Sequence, residues 1–366
     1  MISKKKRIRV LIVDDSAIAR DLLERGISQD PMIEVVGKAS NAYTARDRIV
    51  MLKPDVITLD IEMPGMNGIE FLKRLIPQYP IAVVVVSAIT AEGSRMALEA
   101  LASGAVDVVA KPDARDRDAL TTMIADLSDR IREAALADMK KLVTKKLIHH
   151  RHDIAKKPVM GDASSEQSRE NNRIIAIGAS TGGTNVLDMI IPKLPADCPG
   201  VVIVQHMPPV FTRMFADSLN RESRMDVREA CDGDAIRTGL ALVAPGGLQL
   251  TVHKSQSGWF VHCKPGEKVS GHCPSVDVLF NSVAEVAGDR ATGLILTGMG
   301  RDGAAGLLAM RKAGARCFAQ DDESSVVFGM PKEAWENGAA ERLIPADQAA
   351  ATLIAANAIK RMERTV

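Results

Sequence analysis

Over the first third of the chain, short apolar, β-branched runs alternate with stretches whose apolar positions recur every three to four residues. Arg7–Val13, Ile33–Lys38, Val56–Leu59, Ile81–Val86 and Val106–Val109 read as strands. Ala17–Ile27 and Gly68–Ile76 read as amphipathic helices between them. The strand runs are apolar nearly throughout, as befits a parallel sheet covered on both faces. Five strand–helix units predict a doubly wound α/β domain whose site lies at the carboxyl ends of the strands.

From about Asp113 to Met139 the pattern turns helical and rich in both charges. Lys140–Arg173 is polar and reads as a linker, helical at first and then flexible. A second alternation starts at Ile174, with strand-like runs at Ile174–Ile177, Val201–Val204 and Leu294–Leu296. Between the last two lie Leu240–Val243, Gln249–His253 and Trp259–Cys263, short and turn-bounded, which read as an antiparallel insertion or edge. The expected divisions are 1–128 for the first domain, 129–172 for the linker and 173–366 for the second domain. Neither domain carries an internal repeat.

Composition narrows the function classes. A chain of 366 residues suits two domains, and 46% hydrophobic with 25% charged residues is ordinary for a globular protein. Lys+Arg at 47 against Asp+Glu at 46 leaves +1, which offers nucleic acid or an anionic membrane no attraction. Lys4-Lys5-Lys6-Arg7 reads as a solvated lead-in to the first strand, since no apolar run follows it to make a signal peptide. The longest apolar run, Ile81–Val86, is far short of the ~20 residues of a membrane span. A cytoplasmic protein without membrane insertion is expected. The five cysteines, with no C-x-x-C pair, argue against a disulfide framework or a zinc site. His149-His150-Arg151-His152, in the polar linker, reads as solvated.

Asp14 and Asp15 follow the first predicted strand, and Asp60 ends the third. In a doubly wound sheet these ends are neighbours, so the carboxylates converge into an oxygen-only set suited to a hard cation such as Mg²⁺. Two acids would hold the metal while the third attacks phosphorus, as carboxylate nucleophiles do. Ser87 and Lys111, at the ends of the fourth and fifth strands, supply a hydroxyl and a cation for phosphoryl oxygens. One such acid alone would pass for a helix cap; five features at successive strand ends argue for a site. The segments "LIVDDS", "ITLDIEMPGMNGIEFL", "VVVVSAIT" and "GAVDVVAKP" resemble the receiver domain of response regulators. The resemblance implies a flavodoxin-like fold, with Asp60 accepting phosphate from a histidine kinase and Asp14 and Asp15 serving Mg²⁺. It also implies that Ser87 and Lys111 sense the phosphoryl group and that the Lys111–Pro112 bond is cis.

In the second domain, Gly178-Ala179-Ser180-Thr181-Gly182 follows an apolar strand, and its small residues permit a sharp turn that exposes the serine hydroxyl. His206 follows the next strand in "VVIVQHMPP", and Asp302 sits in the loop of "LILTGMGRDGAAGLLAM". Nucleophile, base and orienter thus run in the order Ser…His…Asp, unlike the Ser…Asp…His of the α/β-hydrolase fold. Gly298-x-Gly300-x-x-Gly303 spells a dinucleotide fingerprint, with Asp321 and Asp322 about twenty residues on. It comes too late in its domain and encloses the charge of Asp302, so nucleotide binding is disfavoured.

These motifs, with "HMPPVFTRMFADSLN", "APGG", "PSVDVLF" and "VVFGMPKEA", resemble the chemotaxis protein-glutamate methylesterase (CheB) family. The fold class expected is therefore α/β with two doubly wound domains: a five-stranded parallel receiver, and a Rossmann-like, mostly parallel sheet with a small antiparallel portion. The resemblance implies a triad of Ser180, His206 and Asp302, and Thr181 and Met299 are the candidates for oxyanion-binding backbone amides. The implied substrate is a methylated glutamate on a chemotaxis receptor, with glutamine deamidation as a second activity. No cofactor is expected for the esterase step. Phosphorylation of a receiver lying over the catalytic cleft would relieve inhibition. Gln249 stands where many members carry His, and Cys273 where many carry Arg, which bears on substrate preference. The alternative from another class is a response regulator whose output domain binds a protein without catalysis; no helix-turn-helix pattern supports a DNA-binding output.

Overall fold

The computed structural model describes residues 6–88, 90–112, 116–141, 173–256 and 258–362. The His149–His152 cluster, Lys4, Lys5 and residues 142–172 of the expected linker lie outside the described residues. The chain divides into two compact units, Met1–His150 and Arg151–Val366.

In the first unit, β1 (Ile8–Val13), β2 (Ile33–Ala39), β3 (Val56–Asp60), β4 (Ala82–Ala88) and β5 (Asp107–Lys111) form one sheet in the order β2-β1-β3-β4-β5. Every pairing is parallel. Helices α1 (Ala17–Ile27), α2 (Ala42–Leu52), α3 (Gly68–Gln78), α4 (Ala91–Ala102) and α5 (Arg117–Ala134) connect and cover it. Each begins at a side-chain cap, from Ser16, Asn41, Asn67, Thr90 and Asp116, whose oxygen accepts an otherwise unpaired amide of the first turn. The caps stop each strand-to-helix loop at a defined residue, which holds the strand-end acids in place. α5 runs past residue 128, and its Arg130, Ile131 and Ala134 are buried in the packing of this unit.

The second unit is built on seven strands: β6 (Ile174–Ala179), β7 (Gly200–Gln205), β8 (Asp226–Glu229), β9 (Leu240–Val243), β12 (Ala291–Ile295), β13 (Arg316–Gln320) and β14 (Arg342–Ile344). Their order is β14-β13-β12-β6-β7-β9-β8, all parallel. A separate antiparallel hairpin, β10 (Gln249–Ser255) with β11 (Gly258–Lys264), is the small antiparallel portion. Leu240–Val243 corrects the expectation of an antiparallel insertion: β9 pairs in parallel with β7 inside the main sheet. A four-residue apolar run carries no sign of its direction. Strands β8, β13 and β14 went unforeseen because β8 is a polar edge, β13 mixes Arg and Gln with apolar residues, and β14 is only three residues long.

Helices α6 (Gly183–Ile190), α7 (Phe211–Glu222), α8 (Val276–Ala287), α9 (Ala304–Lys312), α10 (Met330–Glu336) and α11 (Ala349–Met362) complete the layers. The hairpin packs Leu250, Val252, Trp259 and Val261 into the core that α8 shares with β6 and β7, and Val252 N donates to Ser282 Oγ on α8 at 2.9 Å. Chain order runs outward from β6 in one direction and returns through β12 in the other. That reversal puts a crevice at the carboxyl ends of β6, β7 and β12, where open α/β sheets bind ligands. Among the described residues, no helix is long and apolar enough to cross a membrane.

Candidate functional site

Ser180 leaves the end of β6 in a turn held from two sides. Its amide donates to Thr297 O at 3.0 Å, and Gly183 N donates to the Ser180 carbonyl at 2.7 Å. Gly182 takes φ +76°, a left-handed conformation that favours glycine. Gln205, buried at the end of β7, donates through Nε2 to the Ser180 carbonyl at 2.9 Å.

His206 follows Gln205, and its ring bridges two strand ends. Nδ1 lies 3.0 Å from Ser180 Oγ, and Nε2 lies 2.8 Å from Asp302 Oδ2. All three side chains are buried, with residue exposures of 2%, 3% and 1% for Ser180, His206 and Asp302. A contiguous chain of polar atoms in so dry a place is how a serine hydroxyl is activated by a neighbouring base.

Asp302 is held by the start of α8. Ser275 Oγ donates to Oδ1 at 2.7 Å, Val276 N to Oδ2 at 2.8 Å and Asp277 N to Oδ1 at 3.1 Å. Free amides at a helix start favour an anion. Burial alone would raise this carboxyl, but the hydrogen bond and charge of His206, with Ser275 and Val276 behind them, outweigh it and hold the pKa below the usual value. The acid therefore stays ionised, and Nε2 carries the proton it accepts.

Thr181, the residue after Ser180, receives the Thr297 hydroxyl on its carbonyl at 3.0 Å. Met299 follows Gly298, where a side chain would put its Cβ 2.7 Å from Ser180 Cβ. The glycine-rich loop after β12 thus serves close packing against the serine. Gln249 is buried and ties the loop before α8: Nε2 donates to Glu267 O at 2.8 Å, and Oε1 accepts from Ser275 N at 2.8 Å. Cys273 contributes its carbonyl to Gly247 N at 3.1 Å. Both positions shape the loop that carries Ser275, one bond from Asp302. Among the described residues the cis peptide is Cys273–Pro274 and not Lys111–Pro112; packing around each X–Pro bond decides the isomer, and the sequence does not carry it.

Ser275, Gln205, Thr297 and His272 were not singled out from the sequence. Ser275 lies inside "PSVDVLF" and Gln205 beside His206, so proximity to a candidate was the only signal available.

In the first unit, carboxylate oxygens of Asp14, Asp15 and Asp60 all come within 4.8 Å of one another. Asp14 and Asp60 are buried and Asp15 is exposed. Lys111 Nζ reaches Asp14 Oδ2 at 2.9 Å and Asp60 Oδ2 at 3.0 Å. Burial raises the Asp60 carboxyl above its usual pKa, with the Lys111 cation opposing the rise. Ser87 is buried, and its hydroxyl donates to Gly93 O in the first turn of α4 at 3.1 Å.

The chain matches the family model described as CheB methylesterase over residues 175–353, and that of the response regulator receiver domain over residues 10–125. A protein-glutamate methylesterase/protein-glutamine glutaminase of Syntrophotalea carbinolica is 47% identical over 350 residues, covering 95% of this chain and 97% of that protein. A second protein of that description, from Syntrophomonas wolfei, is 50% identical over 341 residues, covering 93% and 95%. The solved catalytic domain of Thermotoga maritima CheB methylesterase is 39% identical, covering 50% of this chain and 97% of that one, with a TM-score of 0.49.

Proposed function

The chain belongs to the CheB methylesterase family, joined to a receiver domain, and from that premise we propose a mechanism with Ser180 as its nucleophile. The protein is a phosphorylation-controlled hydrolase that removes methyl esters from glutamate side chains of chemotaxis receptors. The observation that carries the mechanism is the buried chain Ser180 Oγ–His206–Asp302, with links of 3.0 and 2.8 Å.

His206 Nδ1 accepts the Ser180 proton as Oγ attacks the side-chain carbonyl, while Asp302 accepts Nε2–H and stabilises the imidazolium. The tetrahedral oxygen takes hydrogen bonds from backbone amides, with Thr181 and Met299 as the candidates. Nδ1–H then protonates the departing methoxide, and methanol leaves an acyl-enzyme. Water, deprotonated by the same nitrogen, releases the glutamate carboxylate and regenerates the serine. With an amide in place of the ester, the same steps convert glutamine to glutamate and release ammonia, the second activity named for the relatives. The esterase steps require no cofactor.

In the receiver, Asp60 takes phosphate from a histidine kinase. Three convergent carboxylates and no softer donor fit a hard cation, so Asp14, Asp15 and Asp60 would hold Mg²⁺. When bound, the ion offsets the charge that builds on the phosphoryl oxygens. Lys111 already lies against Asp60 to pair with them, and release of the Ser87 hydroxyl from Gly93 would supply a further donor. A histidine kinase as phosphodonor and a chemotaxis receptor as substrate support a cytoplasmic location, and the net charge of +1 supports no nucleic-acid partner.

The test is methanol release from methylated receptor membranes by the full chain, with and without acetyl phosphate and Mg²⁺. Wild type releases methanol, faster with the phosphodonor, and Ser180→Ala does not. Methanol release by Ser180→Ala, or none by wild type, overturns the reading.

A further inference from the structure

His206 has both nitrogens committed, and one face of its ring is covered by a second imidazole. The His272 ring stacks on it with centroids 3.7 Å apart and planes 9° from parallel. The backbone that carries this second ring is pinned from several directions. His272 N donates to Val269 O and Val269 N to His272 O, both at 3.0 Å, across a turn with Ser270 at φ +52°. Gln249 Nε2 reaches the His272 carbonyl at 3.4 Å, and the following residue accepts from Gly247 N at 3.1 Å.

We propose that His272 is a positioning residue for the ester hydrolysis: a flat platform that fixes the plane of the His206 ring so that Nδ1 and Nε2 stay aligned together with Ser180 and Asp302. The proposal rests on Ser180 and His206 acting as nucleophile and base. The physical need is specific. Rotation of the His206 ring about its Cβ–Cγ bond moves both nitrogens at once, and a misplacement of about 1 Å at a reacting group costs on the order of 10²-fold in rate. The hydrogen bonds at the two nitrogens set where the ring points but hold its plane only softly. A parallel ring at van der Waals distance resists that rotation directly. It also keeps water from one face of the imidazolium that forms when Ser180 gives up its proton, and a π-face is a favourable neighbour for that cation.

What the platform must supply is a flat aromatic face; its ring nitrogens need not take part. His272→Phe should therefore keep function, whereas His272→Ala and His272→Gln should not, although Gln retains bulk and polarity. The readout is the rate at which a fluorophosphonate probe modifies Ser180 in the full chain, with Ser180→Ala as the blank, followed by kcat and KM for methanol release. Expected are a roughly tenfold slower modification and lower kcat for the Ala and Gln variants with KM within about twofold of wild type, and near-wild-type values for Phe. Thermal unfolding accompanies each variant; should Ala fail to fold, the Phe–Gln comparison decides.

A wild type that is not modified sinks the nucleophile reading and this inference with it. A wild type that is modified, with Ala and Gln equally fast or with Phe as slow as Gln, leaves the nucleophile reading standing and overturns the platform alone.

Discussion

His206 meets Ser180 through Nδ1, at 3.0 Å, leaving Nε2 for Asp302 at 2.8 Å. In the serine-protease template the two nitrogens are used the other way round. The chemistry is unchanged by the swap, since each nitrogen can carry or accept the proton. What the swap does fix is the tautomer: ionised Asp302 accepts only, so Nε2 must hold the hydrogen and Nδ1 must be the free base.

Asp302→Asn tests this directly. An amide N–H turned toward Nε2 would favour the Nδ1–H tautomer, which points a proton at Ser180 and cannot accept one. Methanol release should fall about 10⁴-fold, the scale of the same change in a protease triad, with fluorophosphonate labelling of Ser180 slowed in parallel. Retention of more than a tenth of the wild-type rate would remove Asp302 from the proposed mechanism.

Ser275→Ala probes the support behind that carboxylate. Its hydroxyl donates to Asp302 Oδ1 at 2.7 Å and also caps α8. Loss of an N-cap serine costs about 1 kcal/mol of stability, and Asp302 keeps the amides of Val276 and Asp277. A three- to tenfold fall in kcat with a small drop in Tm is expected. A loss as deep as that of Asp302→Asn would mean that Ser275 does more than support.

How far the molecule could be read in advance follows from the type of signal. The convergence of Ser180, His206 and Asp302 was legible because each follows an apolar strand, where position alone suggests that the side chains meet. The receiver carboxylates were legible for the same reason. Ser275 and His272 were not, because they reach the site from the loop before α8, an element whose approach to β7 is a matter of tertiary packing, and Gln249 was marked only as a departure from the family pattern, not as the residue that ties that loop. Likewise β9 is only four residues long, wholly apolar where the hairpin strands alternate, and its parallel pairings with β7 and β8 place it in the main sheet.

Gly298→Ala separates packing from nucleotide binding in the glycine-rich loop. A Cβ there would lie 2.3 Å from Met330 Sδ and 2.7 Å from Ser180 Cβ. The sulfur end of Met330 can yield, but the serine cannot without leaving His206. A fall in kcat of tenfold or more is expected, with no binding of NAD or ATP by wild type or variant in a calorimetric titration. Saturable nucleotide binding to wild type would revive the fingerprint reading.

Asp107 gives the receiver a stability that depends on pH. It opens β5, is buried, and pairs with buried Arg130 of α5 at 2.9 Å. Burial pushes its pKa from 3.8 up to about 6 despite the Arg130 cation. Between about pH 4 and pH 6 the folded chain then binds this proton more tightly than the unfolded chain does, so the contribution of Asp107 to stability falls as pH rises. Asp107→Asn cannot titrate. In urea unfolding of the full chain, wild type should lose on the order of 2–3 kcal/mol relative to the variant from pH 4 to pH 7. A constant difference across that range would refute the assignment.

Asp60→Asn addresses the switch on Ser180. The variant keeps a side chain of the same size against Lys111 but offers no carboxylate to phosphorus. With radiolabelled acetyl phosphate and Mg²⁺, wild type should take up phosphate and the variant should not, and chelation with EDTA should abolish uptake by wild type. Stimulation of methanol release should disappear in the same two cases, since the phosphoryl group acts only by favouring one state of the protein over another. Labelling of Ser180 in the absence of phosphodonor should match wild type, because neither protein then carries the phosphoryl group that shifts the balance of states. If acetyl phosphate still accelerates the Asp60→Asn variant, a different residue is the acceptor, and the convergence of Asp14, Asp15 and Asp60 needs another explanation.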